Sequence, residues 1–359
     1  MKLVRFAASV ACFLALGLGF VVDSSADSIR KVGVTARVSG TVKSITATEV
    51  TIDAPGGAST KVPTNEIESI QFDGEPTELT NARNLIRNGN EAGAIAQLQK
   101  LTPDKVTRKE FRQDYEFYAA LAQARMALRG AGKVDVAGTA MYNFVNTQKA
   151  SYHYYQAVET MGDLLVGLNK AEDAMKSYAE LEAAPFPDFK MRGGVARGRA
   201  MMSQKNYTGA QSAFEAVLAL PFNPMTQKGT PAEAQRFAAV LGRAQCISAN
   251  GQFDEAIKEL EGNVIANLSP EESELQAMAY VTLGNCYNAK PDGKKAALMA
   301  FLHVDVLYST VPAAHAEALW NLTNLWTEIG KNERGVDCQS RLNRQYPGSP
   351  WLTKKKPAA

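Results

Sequence analysis

Histidine is scarce. His153, His303 and His315 are the only three, and none lies within metal-ligand spacing of a cysteine or of another histidine. That argues against a zinc-type centre, and no metal is expected. Cysteine is nearly as sparse, with four in all. Cys12 falls in an apolar N-terminal run, and Cys246, Cys286 and Cys338 are too widely spaced for a disulfide framework. They read as small buried residues on helices. Cys246 and Cys286 hold the same place in successive repeats, but bridging them would need unusually close helix packing. An excess of one charge is lacking too. With 39 basic and 37 acidic residues the net charge is +2, which predicts neither a nucleic-acid partner nor an acidic one. There is no G-x-S-x-G, no P-loop and no H-E-x-x-H. Gly193-Gly194 beside Arg192 follows no strand, so it is not a phosphate loop. Glu271-Glu272, after Ser269-Pro270, reads as the acidic start of a helix. His153, within Tyr152-His153-Tyr154-Tyr155, reads as a packed or half-exposed residue where a helix begins. These absences point away from an enzyme and call for no cofactor.

Long apolar runs are absent with one exception. Lys2 and Arg5 precede an uncharged stretch at 6–22, followed by Asp23-Ser24-Ser25-Ala26. Basic flank, apolar core and small residues before a cut form the layout of a secretory signal peptide, with cleavage after Ala26. The stretch is also nearly long enough to span a bilayer, so an uncleaved signal anchor is the alternative. The expected location is the periplasm or cell envelope.

Residues 27–75 read as a small β-domain. Gly33-Val34-Thr35-Ala36-Arg37-Val38, Thr41-Val42-Lys43-Ser44-Ile45 and Glu49-Val50-Thr51-Ile52 alternate with period two. Lys61-Val62-Pro63 and Ile67-Glu68-Ser69-Ile70-Gln71-Phe72 add two more strands. Five short strands are too few for a sandwich and suit a small, strongly bent barrel, SH3-like or Sm-like. So small a core is expected to lean on the helices next to it in the chain.

From Pro76 to Pro347 the period becomes 3.6 and one pattern repeats. A small residue sits mid-way along a first helix. A second opens the buried face of the next helix, and a large residue comes four positions later. Ala82, Ala94 and Leu98 fit, as do Gly162, Ala174 and Tyr178. So do Gly198, Ala210 and Phe214, and Ala244, Ala256 and Leu260. Gly284, Ala297 and Phe301 fit with one residue inserted, and Thr323, Gly335 and Gln339 form a weaker version. Small residues lie where two helices cross closely, and the large one is expected to fill the gap between hairpins. A helical hairpin cannot cover its own apolar faces and needs a neighbour like itself. The expected architecture is mainly α: a solenoid of about seven hairpins. Residues 348–359, with Lys354-Lys355-Lys356, read as a disordered basic tail.

Leu283-Gly284-x-x-Tyr287, Gly251-Gln252-Phe253-Asp254-Glu255-Ala256-Ile257 and Leu342 with Tyr346-Pro347-Gly348-Ser349-Pro350 resemble the tetratricopeptide repeat family. The last motif is also similar to repeat ends of exported bacterial envelope proteins. The Trp of the family's first position is absent, and the linkers at 130–136 and 220–231 are long. The resemblance implies a non-enzymatic scaffold that holds a partner's peptide or helix in the concave groove lined by first helices, often within an envelope or membrane complex. Carried onto this chain, it turns Gln156, Glu159 and Asp163 inward, then Arg192 and Arg199, then Asn285 and Asn288, then Glu317, Trp320, Asn321 and Asn324. Arg192 and Arg199, seven apart on one helix face with Arg197 near, would suit a carboxylate or acidic peptide. The alternative is ion pairing with Asp163 or Glu159. Trp320, with Asn321 and Asn324, would hold an extended peptide by stacking and amide bonds, or belong to the core. Asp163 and Glu159 are also the only carboxylate pair that a glycan-active site would have to use.

Overall fold

The computed structural model describes residues 26–223, 225, 227, 230–269 and 272–354. The apolar run at 6–22 and the last five residues lie outside these, as do Pro224, Pro270 and Glu271. Among the described residues no helix is long and apolar enough to cross a membrane.

Five antiparallel strands open the described chain: β1 (Asp27–Lys31), β2 (Arg37–Ile45), β3 (Glu49–Asp53), β4 (Ser59–Pro63) and β5 (Ile67–Gln71), in the order β4-β3-β2-β1-β5. The first half of β2 pairs with β1 and the second half with β3, so the strand bends between two small sheets. Gly40 marks the bend, where a Cβ would lie 2.1 Å from the Asp53 carbonyl oxygen. The strand expected at 33–38 is therefore corrected. Gly33 takes φ +69° in a turn, and the alternating run on either side of Gly40 is one strand. The first strand begins earlier, at Asp27, whose carboxylate accepts the Val42 and Asp73 N–H groups at 2.8 Å each.

Among the described residues fourteen α-helices come next and pair into seven antiparallel hairpins. They are α1 (Thr77–Arg87) with α2 (Glu91–Leu98), α3 (Lys109–Leu128) with α4 (Val134–Thr147), and α5 (Tyr154–Gly167) with α6 (Ala171–Glu182). Then come α7 (Pro187–Ser203) with α8 (Tyr207–Leu218), and α9 (Pro231–Ala249) with α10 (Phe253–Glu259), the latter continued by a wider turn at Leu260–Ile265. The last are α11 (Ser273–Asn288) with α12 (Lys294–Leu307), and α13 (Pro312–Glu328) with α14 (Asn332–Gln345). Prolines 187, 231 and 312 start α7, α9 and α13, where a missing N–H costs nothing.

Six of the seven hairpins turn on a residue of positive φ: Gly89, Gly130, Asn169, Lys205, Gly251 and Gly330. In each the next N–H returns to a carbonyl five residues back, as Lys331 does to Trp326 and Asn206 to Met201. The exception is α11–α12, the hairpin with the inserted residue.

The small residues stand at the helix crossings. Ala82, Ala94, Ala174, Ala210, Ala244, Ala256 and Ala297 are fully buried. A Cβ on Gly198 would lie 2.6 Å from the Phe214 ring, and one on Gly284 would lie 2.7 Å from that of Phe301. The large residue lies between hairpins, as expected, and also fills its own. Tyr178 packs with Ala200 and Phe301 with Leu319 and Leu322 of the next hairpin, each ring also meets its own glycine, and Phe214 meets both its own Gly198 and Gly242 of the next. In the last hairpin Cys338 and Leu342, not Gln339, are buried beside Gly335. Cys246, Cys286 and Cys338 are buried free thiols, and Cys286 Sγ donates to Ser248 Oγ at 3.2 Å. α11 begins at Ser273, later than Ser269-Pro270 suggests.

The β-domain shares one apolar core with the first hairpins. Ile29, Val50, Ile52 and Ile70 run on through Phe72 and Leu79 to Phe117 and Leu164. Asn65 Nδ2 also donates to Asp188 Oδ1 at 3.0 Å, tying the strands to the start of α7.

Candidate functional site

The first helices carry a polar ladder. On α5, Gln156, Glu159 and Asp163 recur at helical spacing and share a face. Gln156 borders a cleft of about 170 Å³ with Arg83 and Arg87 of α1, Tyr118 and Arg125 of α3, and Glu68 and Ser69 of β5. Glu159 and Asp163 border a cleft of about 410 Å³ with Tyr178, Arg192, Arg199 and Gln235. Neither β5 nor Gln235 is near these residues in sequence; only the stacking of the hairpins brings them together.

Arg192 and Arg199 do not act as a matched pair. The Arg192 guanidinium forks onto Glu159, with Nε 3.0 Å from Oε1 and Nη2 on Oε2, and it lies 5.1 Å from the Phe189 ring centroid. Burial pulls Arg192 down to about 10. Arg197 turns to Glu182 at 3.0 Å. Burial pushes the Asp163 carboxyl up, opposed by the Tyr178 hydroxyl that donates to it at 2.9 Å and by the Arg199 charge. Arg199 is exposed, and among the described residues it makes no hydrogen bond or ion pair. Both carboxylates that a glycan-active site would need are thus engaged, one by Arg192 and one by Tyr178.

Farther along, Gln245 Nε2 donates to Thr282 Oγ1 at 3.1 Å, and Asn285 Nδ2 to Glu317 Oε1 at 3.0 Å, linking α9 to α11 and α11 to α13. Asn321 and Asn324 spend their amide N–H groups on carbonyls of their own helix, those of Glu317 and Trp320. Trp320 is buried at 8% exposure, and the Trp351 ring covers it at 5.2 Å. Residues 350–352, placed in the solvated tail by sequence, fold as a 3-10 turn against α13. The six expected partner-binding residues therefore fall into three places: Gln156 with the α1–α3 arginines, Arg192 and Arg199 across α7, and Asn285, Trp320 and Asn324 at the α13 end.

One cluster escaped the sequence reading. Arg83 binds Glu75 through two 3.0 Å contacts and Asp114 at 2.9 Å, all nearly fully buried. Asp114 also takes the Tyr152 hydroxyl at 3.1 Å and faces His153 Nε2 at 3.1 Å. Burial opposes the Arg83 charge, but the surrounding groups outweigh it and raise the guanidinium above its ordinary value. His153 is stacked on Phe117 with ring centroids 3.8 Å apart, and burial lowers it against the opposing pull of Asp114. The signal was available: Asp114 stands between Phe111 and Phe117 on a buried stripe, where a lone carboxylate requires a partner. A second cluster joins His315, Asp305, Arg341 and Tyr346 at the last hairpin. Among the described residues no group of three or more His, Cys, Asp or Glu side chains could hold a metal ion.

Seven stacked helical hairpins, small residues at each crossing and a polar ladder on the first helices define an α-solenoid of the tetratricopeptide kind. A tetratricopeptide repeat protein from Parabacteroides merdae superposes with a TM-score of 0.52 at 14% identity, over 78% of this chain and 95% of that one. RapI in its apo form superposes with a TM-score of 0.51 at 10% identity, over 76% and 77% of the two chains. No protein-family model matches the chain, and no curated protein matches it in sequence. The fold is a tetratricopeptide-like solenoid preceded by a small five-stranded antiparallel β-unit.

Proposed function

We propose that the chain is a non-enzymatic scaffold that holds a segment of a protein partner in the concave face of its solenoid. The observation that carries this is the α5–α7–α9 cleft, where Arg192 is fixed by Glu159 while Arg199 stays exposed and unpaired among the described residues. A preformed cleft with an exposed guanidinium that makes no hydrogen bond among the described residues and lies within the field of Asp163 suits a carboxylate on an incoming peptide and requires little ordering on association. The solenoid fold supports the same reading. The test places a photo-crosslinking side chain at Gln235 in the cleft and, as control, at Val336, which is 66% exposed on α14. Crosslinked species specific to Gln235 that vanish with Arg199→Glu are expected. A partner set unchanged by Arg199→Glu refutes the reading.

Export to the bacterial envelope is part of the same proposal, with a signal-anchored component of a membrane complex as the second reading. What favours cleavage is the sequence layout, small residues at 24 and 26 after a basic flank and an apolar run. Mass spectrometry of the mature chain decides: Asp27 as first residue supports cleavage, and Met1 supports the anchor.

A further inference from the structure

The Trp320 side of α13 is already covered by the chain's own residues 350–354. The Trp320 and Trp351 ring centroids are 5.2 Å apart at a tilt of 45°. Lys354 Nζ lies 5.0 Å from the Trp320 centroid and 3.8 Å from that of Trp351. An ammonium against two indoles is a cation–π clasp. Glu317, one turn before Trp320, adds negative charge: burial pushes its carboxyl up, while the Asn285 amide and the Lys354 charge oppose that. Asn324, one turn after Trp320, has a buried Oδ1 with no donor among the described residues.

What fills the place is weakly tied to it. Leu352 N–H returns to Ser349 and Thr353 N–H to Pro350, while the Ser349 hydroxyl accepts from Trp351 N–H. Ser349 N–H reaches back to Tyr346. Among the described residues the hydrogen bonds of 349–354 thus close within the segment or at the end of α14. The hold on α13 is the Trp351 ring on Trp320, Leu352 against the same apolar cluster, and the Lys354 ammonium beside both rings and the Glu317 carboxylate, contacts that another chain can reproduce.

We propose that this side of α13 is a peptide site for a segment carrying an aromatic ring and, three residues later, an ammonium, and that Trp351-Leu352-Thr353-Lys354 occupies it in cis. The inference deepens the scaffold reading by naming a ligand chemistry and a means of regulation, since a partner must displace the chain's own segment. Its test is separate from the Arg199 experiment, because it uses a defined peptide at α13.

The probe is a fluorescein-labelled peptide of residues 349–359, read by anisotropy against the full-length chain. A segment held in cis competes at its effective concentration, about millimolar, so the native chain is expected to bind more weakly than full-length Trp351→Ser/Lys354→Ser by about the ratio of that concentration to the peptide's Kd, about a hundredfold for a Kd of about 10 μM. The same peptide carrying both serines should not bind. Adding Trp320→Ala to the double variant should abolish binding. Three results overturn the proposal: no saturable binding to the folded double variant at millimolar peptide, binding that survives Trp320→Ala, or loss of the helical signal in the double variant. The last would make the segment structural cover.

Discussion

The Tyr178 ring occupies the place where a side chain on Gly162 would stand: a Cβ there would lie 2.4 Å from Tyr178 Cε1. The two belong to facing helices of one hairpin, and the tyrosine hydroxyl continues to Asp163 at 2.9 Å. Gly162→Ala should therefore cost about 1–3 kcal/mol through overpacking. Urea denaturation of the single variant against Gly162→Ala/Tyr178→Leu checks the cause, since the smaller partner should recover part of the loss. Equal stability of native chain and Gly162→Ala would show that the crossing has slack.

Lys205 closes the α7–α8 turn at φ +62°, where four sister turns use glycine. A Cβ in that conformation costs about 1–2 kcal/mol. Lys205→Gly should raise stability by up to about 1 kcal/mol, the flexible unfolded glycine offsetting part of the relief. A lowered melting temperature would contradict this.

His153 makes stability depend on pH. Burial holds the imidazole neutral, below its ordinary value of 6.5. Below that value the unfolded chain binds a proton that the folded chain refuses, so stability is complete above about pH 6.5 and falls as pH drops toward the folded value. The slope is at most about 1.4 kcal/mol per pH unit. The stability gap between native chain and His153→Gln, measured in urea, should narrow between about pH 7 and about pH 5. A constant gap would exclude the mechanism. Asp305 acts in a lower window. Burial alone would raise it, but His315 and Arg341 pull it down to about 2 from 3.8. Its contribution is present above 3.8 and lost as pH falls through about 2.

Arg192 and Arg199 should separate stability from binding. Arg192→Ala leaves a half-buried Glu159 without its fork and should destabilise by about 1–3 kcal/mol. Arg199→Ala breaks no bond seen among the described residues and should stay within about 0.5 kcal/mol of native. Paired thermal melts measure both. If both variants melt alike, Arg192 is not the structural member of the pair.

Much of the fold was legible because its causes are local. Positive-φ glycines such as Gly330 and prolines such as Pro312 mark helix ends within a few residues. The recurrence of Gly198, Ala210 and Phe214 at fixed spacing describes one helix crossing. The strands were harder to place. Gly33 to Val38 alternates like a strand, but β1 pairs with Arg37–Gly40 only after a turn at 32–36. Register depends on partners, and the sequence of one strand does not contain them.

The polar groups were the least legible. Spacing puts Arg192 and Arg199 on one face, yet Glu159 lies 33 positions before Arg192 and claims it. Arg83 and Asp114 are 31 apart and meet only because α1 and α3 pack side by side. By itself the sequence determined the hairpin, its turns and its small-residue crossings, since these arise from backbone sterics over a dozen residues. Only the tertiary structure decided which charge is spent and which is free, and that Trp351 covers Trp320. Such choices depend on distances between helices that stacking alone establishes.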